Sequence, residues 1–146
     1  GTGNFLEQAK QLTALHGQAD KIIFRGTLLP HALQEITQQA YAGITLFEDK
    51  GLNQYYSLSN RFFDYIMAGV PQLCVEYPLY AACNSTYGIM HPVKATDSDS
   101  IARGLNELLN DAALYNRLRN NCITARQRLN WQQVAPQLIG FYKQLY

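Results

Sequence analysis

Apolar residues along the chain follow two alternating rhythms. Phe5, Leu6, Ala9, Leu12 and Leu15 share one broad face at helical spacing, which predicts a helix over 5–15. Lys21-Ile22-Ile23-Phe24-Arg25-Gly26 is short, β-branched and aromatic, and glycine stops it, so a strand is expected there. Pro30 sits in the first turn of a helix that continues through Leu33, Ile36 and Ala40. A second strand is predicted at Gly43-Ile44-Thr45-Leu46-Phe47-Glu48, and the polar stretch from Asp49 to Leu58 reads as a loop. Ser59 is placed to cap a helix over 60–68 that Gly69 ends. Strands at 71–77 and 88–93 follow, then helices over about 101–109, 115–129 and 131–146.

Strand and helix in regular turn predict a parallel sheet covered on both faces. With right-handed crossovers the expected fold is α/β, a doubly wound, Rossmann-like domain. The sequence shows no internal repeat and no low-complexity linker. Gly1-Thr2-Gly3 runs straight into a helix although such a turn ordinarily follows a strand, so the chain is expected to be one domain of a longer protein.

The chain has 146 residues, enough for one domain with a sizeable core. Its formal charge of +1 gives no overall field that would draw it to nucleic acid. Cys74, Cys83 and Cys122 are odd in number and lack a Cys-x-x-Cys spacing, which argues against a disulfide scaffold and fits a reducing cytoplasm. His16, His31 and His91 lie too far apart for a helical His pair, so no metal site is expected. No apolar run reaches the ~20 residues of a membrane span.

In open parallel sheets ligands bind beyond the carboxyl ends of the strands. Three segments fall there: Gly1-Thr2-Gly3, Gly26-Thr27-Leu28, and Tyr56-Ser57-Leu58-Ser59-Asn60-Arg61. Ser57, Ser59 and Asn60 stand at a helix N-terminus, where free N–H groups and the helix dipole favour an anion. Arg61 places a cation at the same positive end, an arrangement that suits a phosphate between them. The same residues also fit a capped surface helix with a solvated arginine. One turn on, the carboxylate of Asp64 is suited to ribose hydroxyls, or is an exposed helix charge. Tyr55 and Tyr56 are candidate ligand contacts in the polar loop. Neither a Walker loop, nor a full Gly-x-Gly-x-x-Gly fingerprint, nor a Gly-x-Ser-x-Gly elbow is present.

The segment Ser57-Leu58-Ser59-Asn60-Arg61-Phe62-Phe63-Asp64-Tyr65-Ile66-Met67-Ala68-Gly69-Val70-Pro71 resembles the Leu-Pro-Asn-Lys-Phe-Glu-Tyr-x-x-Ala-Gly-x-Pro segment of retaining GT-B glycosyltransferases of the glycosyltransferase group 1 type. Phe24-Arg25-Gly26, Gly88-Ile89, the stretch 97–109 and Asn130-Trp131 are similar to further family features in the same order. The resemblance implies the C-terminal, donor-binding half of a GT-B fold, holding a UDP-sugar or GDP-sugar without metal or other cofactor. It assigns Asp64 to the ribose; Ser59, Asn60 and Arg61 to the diphosphate and sugar; Gly26, Thr27 and Leu28 to the base; and Gly3 to the glycine turn after the first strand. Tyr56 occupies the position of the family's earlier glutamate, and Tyr55 or Tyr56 is the substitute for its sugar contacts.

The upstream Arg and Lys that commonly neutralise the leaving diphosphate have no counterpart in this sequence, and the catalytic residues are left unassigned. The implied partner is an N-terminal acceptor-binding domain. The implied setting is bacterial surface polysaccharide synthesis, in the cytoplasm or peripheral at the inner membrane face. Two other classes share the sheet: a non-catalytic flavodoxin-like binding module, and a nucleotide-sugar epimerase of GT-B type.

Overall fold

The structure, a computed structural model, describes residues 2–145. Gly1 of the N-terminal glycine turn and the last residue of the C-terminal helix expected to reach Tyr146 lie outside them. The chain forms two compact units, Gly1–Glu35 and Ile36–Tyr146.

In the first unit, helix α1 spans Leu6–Leu15 and buries no residue. Helix α2, Pro30–Gln39, starts in this unit and includes the boundary after Glu35; it begins on proline, whose missing N–H is no loss in a first turn, and also buries none. The strand expected over 21–26 does not form: these residues join no ladder, and Ile22, Ile23 and Phe24 are 47%, 69% and 38% exposed. β-branched and aromatic residues favour a strand only where neighbours supply hydrogen bonds and a surface to cover. Gly26 ends the segment at φ +66°, in the left-handed region.

The second unit holds the sheet. Strand β1 is Gly43–Thr45, β2 is Gln72–Val75 and β3 is His91–Val93, paired in parallel in the order β1-β2-β3. All three are shorter than the sequence pattern predicts. The order never reverses among the described strands, whereas a doubly wound sheet requires a reversal.

Between β1 and β2 lie a short helix α3, Leu52–Tyr55, and helix α4, Asn60–Ala68. Helix α5, Pro78–Tyr87, links β2 to β3, and α6, Ser98–Asn110, follows β3. Helices α7, Ala112–Ala125, and α8, Trp131–Lys143, complete the chain.

Alternation along the strands shows which helix covers which face. A Cβ on Gly43 would fall 2.5 Å from the Tyr65 ring of α4, and the Gln72 amide nitrogen donates to the Phe62 carbonyl of the same helix at 3.1 Å. Leu73, pointing the other way, lies against Gly104 of α6, where an added Cβ would come within 2.5 Å of it. Helices therefore cover both faces: α4 on one side and α6 on the other.

The core gathers Phe62, Ile66, Leu73, Val75, Tyr80, Ile89, Met90, Leu108 and Leu118. Thr45 and Gln72 are the buried polar pair within it, joined by a 2.8 Å bond from the Thr45 hydroxyl to the Gln72 side-chain oxygen. Buried Cys74 and Cys122 behave as small apolar groups; burial pushes both thiols up, Cys122 to about 12. Helix α8 differs from α4, α5, α6 and α7, each of which buries at least one residue. Asn130 caps it, yet none of its residues is buried, and Trp131, Val134, Leu138 and Phe141 at its face are 43–64% exposed.

Candidate functional site

Helix α4 is the best-specified element near the carboxyl edge of the sheet. Ser59 in extended conformation accepts the Phe62 N–H through its hydroxyl at 3.3 Å. Its own N–H donates to the Tyr80 hydroxyl of α5 at 3.0 Å, so the cap is tied to the element that follows β2. At the other end Gly69 is left-handed at φ +70°, and the Val70 N–H returns to the Tyr65 carbonyl at 2.9 Å. Because the chain passes directly from Gly69 into β2, the C-terminus of α4 stands at the amino edge of the sheet. Its N-terminus stands at the carboxyl edge.

Phe62 and Ile66 point inward from α4, whereas Asn60, Arg61, Asp64 and Met67 are exposed and fall at the 3–4 spacing of one outer face. The N–H groups of Asn60 and Arg61 have no acceptor among the described residues, as expected of a first helical turn. Arg61 forms no ion pair there with Asp64; its guanidinium lies over the Phe47 ring, 5.9 Å from the centroid.

Beyond the carboxyl ends of β2 and β3 opens a cleft of about 470 Å³, lined by Asp49, Tyr55, Glu76, Tyr77, Lys94 and Thr96 among others. Its aromatic wall is continuous: Tyr55 meets Tyr77 at 5.0 Å and Tyr56 edge-on at 4.9 Å between centroids. The Tyr77 hydroxyl donates to the Phe47 carbonyl at 2.6 Å. Burial foremost, then the charge of Asp49, the Tyr55 phenol and Glu48, holds the Tyr77 phenol above its ordinary value. Glu48 is itself paired with Lys50. The lining thus carries two carboxylates, Asp49 and Glu76, against one cation, Lys94. Arrangements of this kind bind hydroxyl-rich or cationic groups more readily than phosphates.

No protein-family model matches the chain, and no curated protein and no solved structure matches it either.

Of the residues singled out from sequence, Tyr56, Ser57, Ser59, Asn60, Arg61 and Asp64 belong to one stretch running from the aromatic wall of the cleft into α4. Ser57 and Ser59 are half-buried, while Tyr56, Asn60, Arg61 and Asp64 are exposed. Gly3, Gly26, Thr27 and Leu28 lie in the first unit. There the Gly3 carbonyl accepts the Leu6 N–H at 3.0 Å, Gly26 makes its left-handed turn, Thr27 is exposed and Leu28 half-buried.

Sequence reasoning missed Asp49, Glu76, Tyr77 and Lys94 as cleft residues. A signal for three of them was present: Glu76, Tyr77 and Lys94 directly follow strand segments, where an open parallel sheet places its ligands. Among the described residues no group of three or more His, Cys, Asp or Glu could hold a metal ion, and no helix is long and apolar enough to cross a membrane.

Proposed function

We propose that this chain binds a nucleoside diphosphate sugar at the carboxyl edge of its sheet. In this reading it is the donor-binding, Rossmann-like half of a retaining GT-B glycosyltransferase, which moves the sugar to an acceptor hydroxyl. The observation that carries the proposal is the start of α4, where two unpaired N–H groups, the Arg61 guanidinium and the Asp64 carboxylate occupy one exposed face beside an aromatic cleft. The positive helix end and Arg61 suit a diphosphate, and would stabilise the charge it gains as it leaves. Asp64 suits ribose hydroxyls. The neighbouring cleft, with Asp49, Glu76 and three tyrosines at or beside it, suits a neutral polyhydroxylated ring stacked on aromatic faces. The resemblance of 57–71 to the glycosyltransferase group 1 segment supports the same assignment.

Calorimetric titration of the chain with UDP, GDP and ADP tests it. One diphosphate should bind saturably with Kd on the order of 0.1 mM, and Arg61→Ala and Asp64→Ala should each weaken it about tenfold. If none of the three binds at millimolar concentration, the reading fails. If binding is indifferent to both substitutions, α4 is not the site.

A further inference from the structure

Tyr77 is the residue that precedes α5, and Tyr80 lies in the first turn of that helix. Their hydroxyls reach two different elements. The Tyr77 hydroxyl donates to the Phe47 carbonyl at 2.6 Å, which ties the segment leaving β1 to the start of α5. The Tyr80 hydroxyl accepts the Ser59 N–H at 3.0 Å, which ties the cap of α4 to the same place. Tyr80 is itself held firmly: it is 1% exposed, and its ring meets the fully buried Phe62 edge-on at 5.0 Å between centroids. A phenylalanine would fill the same space, but it would leave the Ser59 N–H without its acceptor.

Both ties lead to Arg61. Its guanidinium lies over the Phe47 ring, 5.9 Å from the centroid, and its backbone follows two residues after Ser59. Arg61 makes no hydrogen bond and no ion pair among the described residues, so no other polar contact there fixes where this cation stands. Asp64, three residues on, is not paired with it, and Glu48, next to Phe47, is paired with Lys50. A long exposed side chain loses rotamer freedom when it takes up a ligand, and a platform fixed beforehand lowers that cost.

We propose that Tyr77 and Tyr80 are positioning residues for Arg61. Tyr77 fixes the Phe47 ring beneath its guanidinium, and Tyr80 fixes the helix turn that carries its backbone. Neither hydroxyl meets the ligand; they set the geometry in which Arg61 meets a diphosphate. The role rests on the reading of the α4 start as the diphosphate site and names what preorganises it.

The test uses the full chain with Tyr77→Phe and Tyr80→Phe, each of which keeps the ring and removes only the hydroxyl. NMR follows the Arg61 side-chain and Ser59 amide signals while inorganic pyrophosphate, a diphosphate without base or sugar, is titrated. In the native chain the Phe47 ring current should displace the Arg61 side-chain protons upfield, and Tyr77→Phe should return them toward ordinary arginine values. Tyr80→Phe should speed hydrogen exchange of the Ser59 amide about tenfold, which Tyr77→Phe should not do; general loosening of the fold would move both signals in both variants. Pyrophosphate is expected to bind with Kd on the order of 1 mM, weakened about fivefold by either change. In an Arg61→Ala chain Tyr77→Phe should weaken it no further, because the group being positioned is gone. Variants that bind pyrophosphate as tightly as the native chain overturn the proposal, and so does a native chain that binds none. If UDP or GDP binds the native chain and both variants equally, the positioning role falls and the donor reading stands. If pyrophosphate binding weakens as expected but UDP, GDP and ADP all fail to bind, the donor reading falls and the positioning role stands.

Discussion

Residues 2–35 and residues 36–145 are built from similar residue types, yet they differ in what those residues achieve. The first region has Phe5, Leu12, Leu15, Ile22, Ile23, Phe24 and Leu29 all more than a third exposed, and no buried side chain. The second contains every buried residue of the core. Apolar content alone does not separate them. In the second region the apolar elements at the centre have specific counterparts: β2 lies between two hydrogen-bonded neighbours, α4 covers one face and α6 the other. Burial follows from pairing, and a segment such as 21–26, without a ladder, gains none of it.

The comparison breaks most readily at its strongest point. Phe62→Ala, which empties a fully buried site, should cost about 3–5 kcal/mol in urea denaturation, whereas Ile23→Ala should stay within about 0.5 kcal/mol. Equal costs would mean that the first region contributes to the cooperative core after all. Thr45→Val is expected to cost about 1–3 kcal/mol, because it strands the buried Gln72 oxygen. A double change with Gln72→Leu that recovered part of that loss would identify the desolvated oxygen as its cause.

Two glycines sharpen the contrast further. Gly69 and Gly26 have nearly the same backbone, at φ +70° and +66°. A Cβ on Gly69 meets Ile123 at 3.2 Å, and one on Gly26 meets nothing within 4 Å. Gly69→Ala should therefore lower the denaturation midpoint by the equivalent of about 1–2 kcal/mol. Gly26→Ala should barely move it, since the strain falls where little cooperative structure depends on it. Ser59→Ala, removing a cap whose helix is also held by Phe62 and Ile66, is expected to cost about 1 kcal/mol by the same measurement. If Ser59→Ala cost as much as Phe62→Ala, local capping rather than packing would hold α4.

Elements with a local signature were legible in the sequence. Ser59, the apolar spacing of Phe62 and Ile66, and Gly69 mark α4 from cap to stop, and the helix forms where they place it. The β1, β2 and β3 segments were legible as positions but not as lengths, because a ladder ends where its neighbour ends. Helix α5 was overlooked, though Pro78 in its first turn is a legible start signal. The strand expected at 21–26 failed for the opposite reason: its residue types fit a strand, but strand formation depends on a partner.

Part of the candidate site was similarly visible. Arg61 and Asp64 could be placed on one helix from sequence, and the structure puts them on one exposed face. The cleft combining Asp49, Glu76 and Lys94 could not, since it joins residues from three separate loops.

Trp131, the single tryptophan, opens α8 and is 64% exposed. Its emission will be red-shifted and readily quenched by iodide in the folded state, and it will report on a helix that buries no residue. A fluorescence melt therefore follows a helix outside the buried core rather than the core itself. Tyr80, 1% exposed and edge-on to Phe62, makes near-ultraviolet circular dichroism the optical signal that follows the core itself.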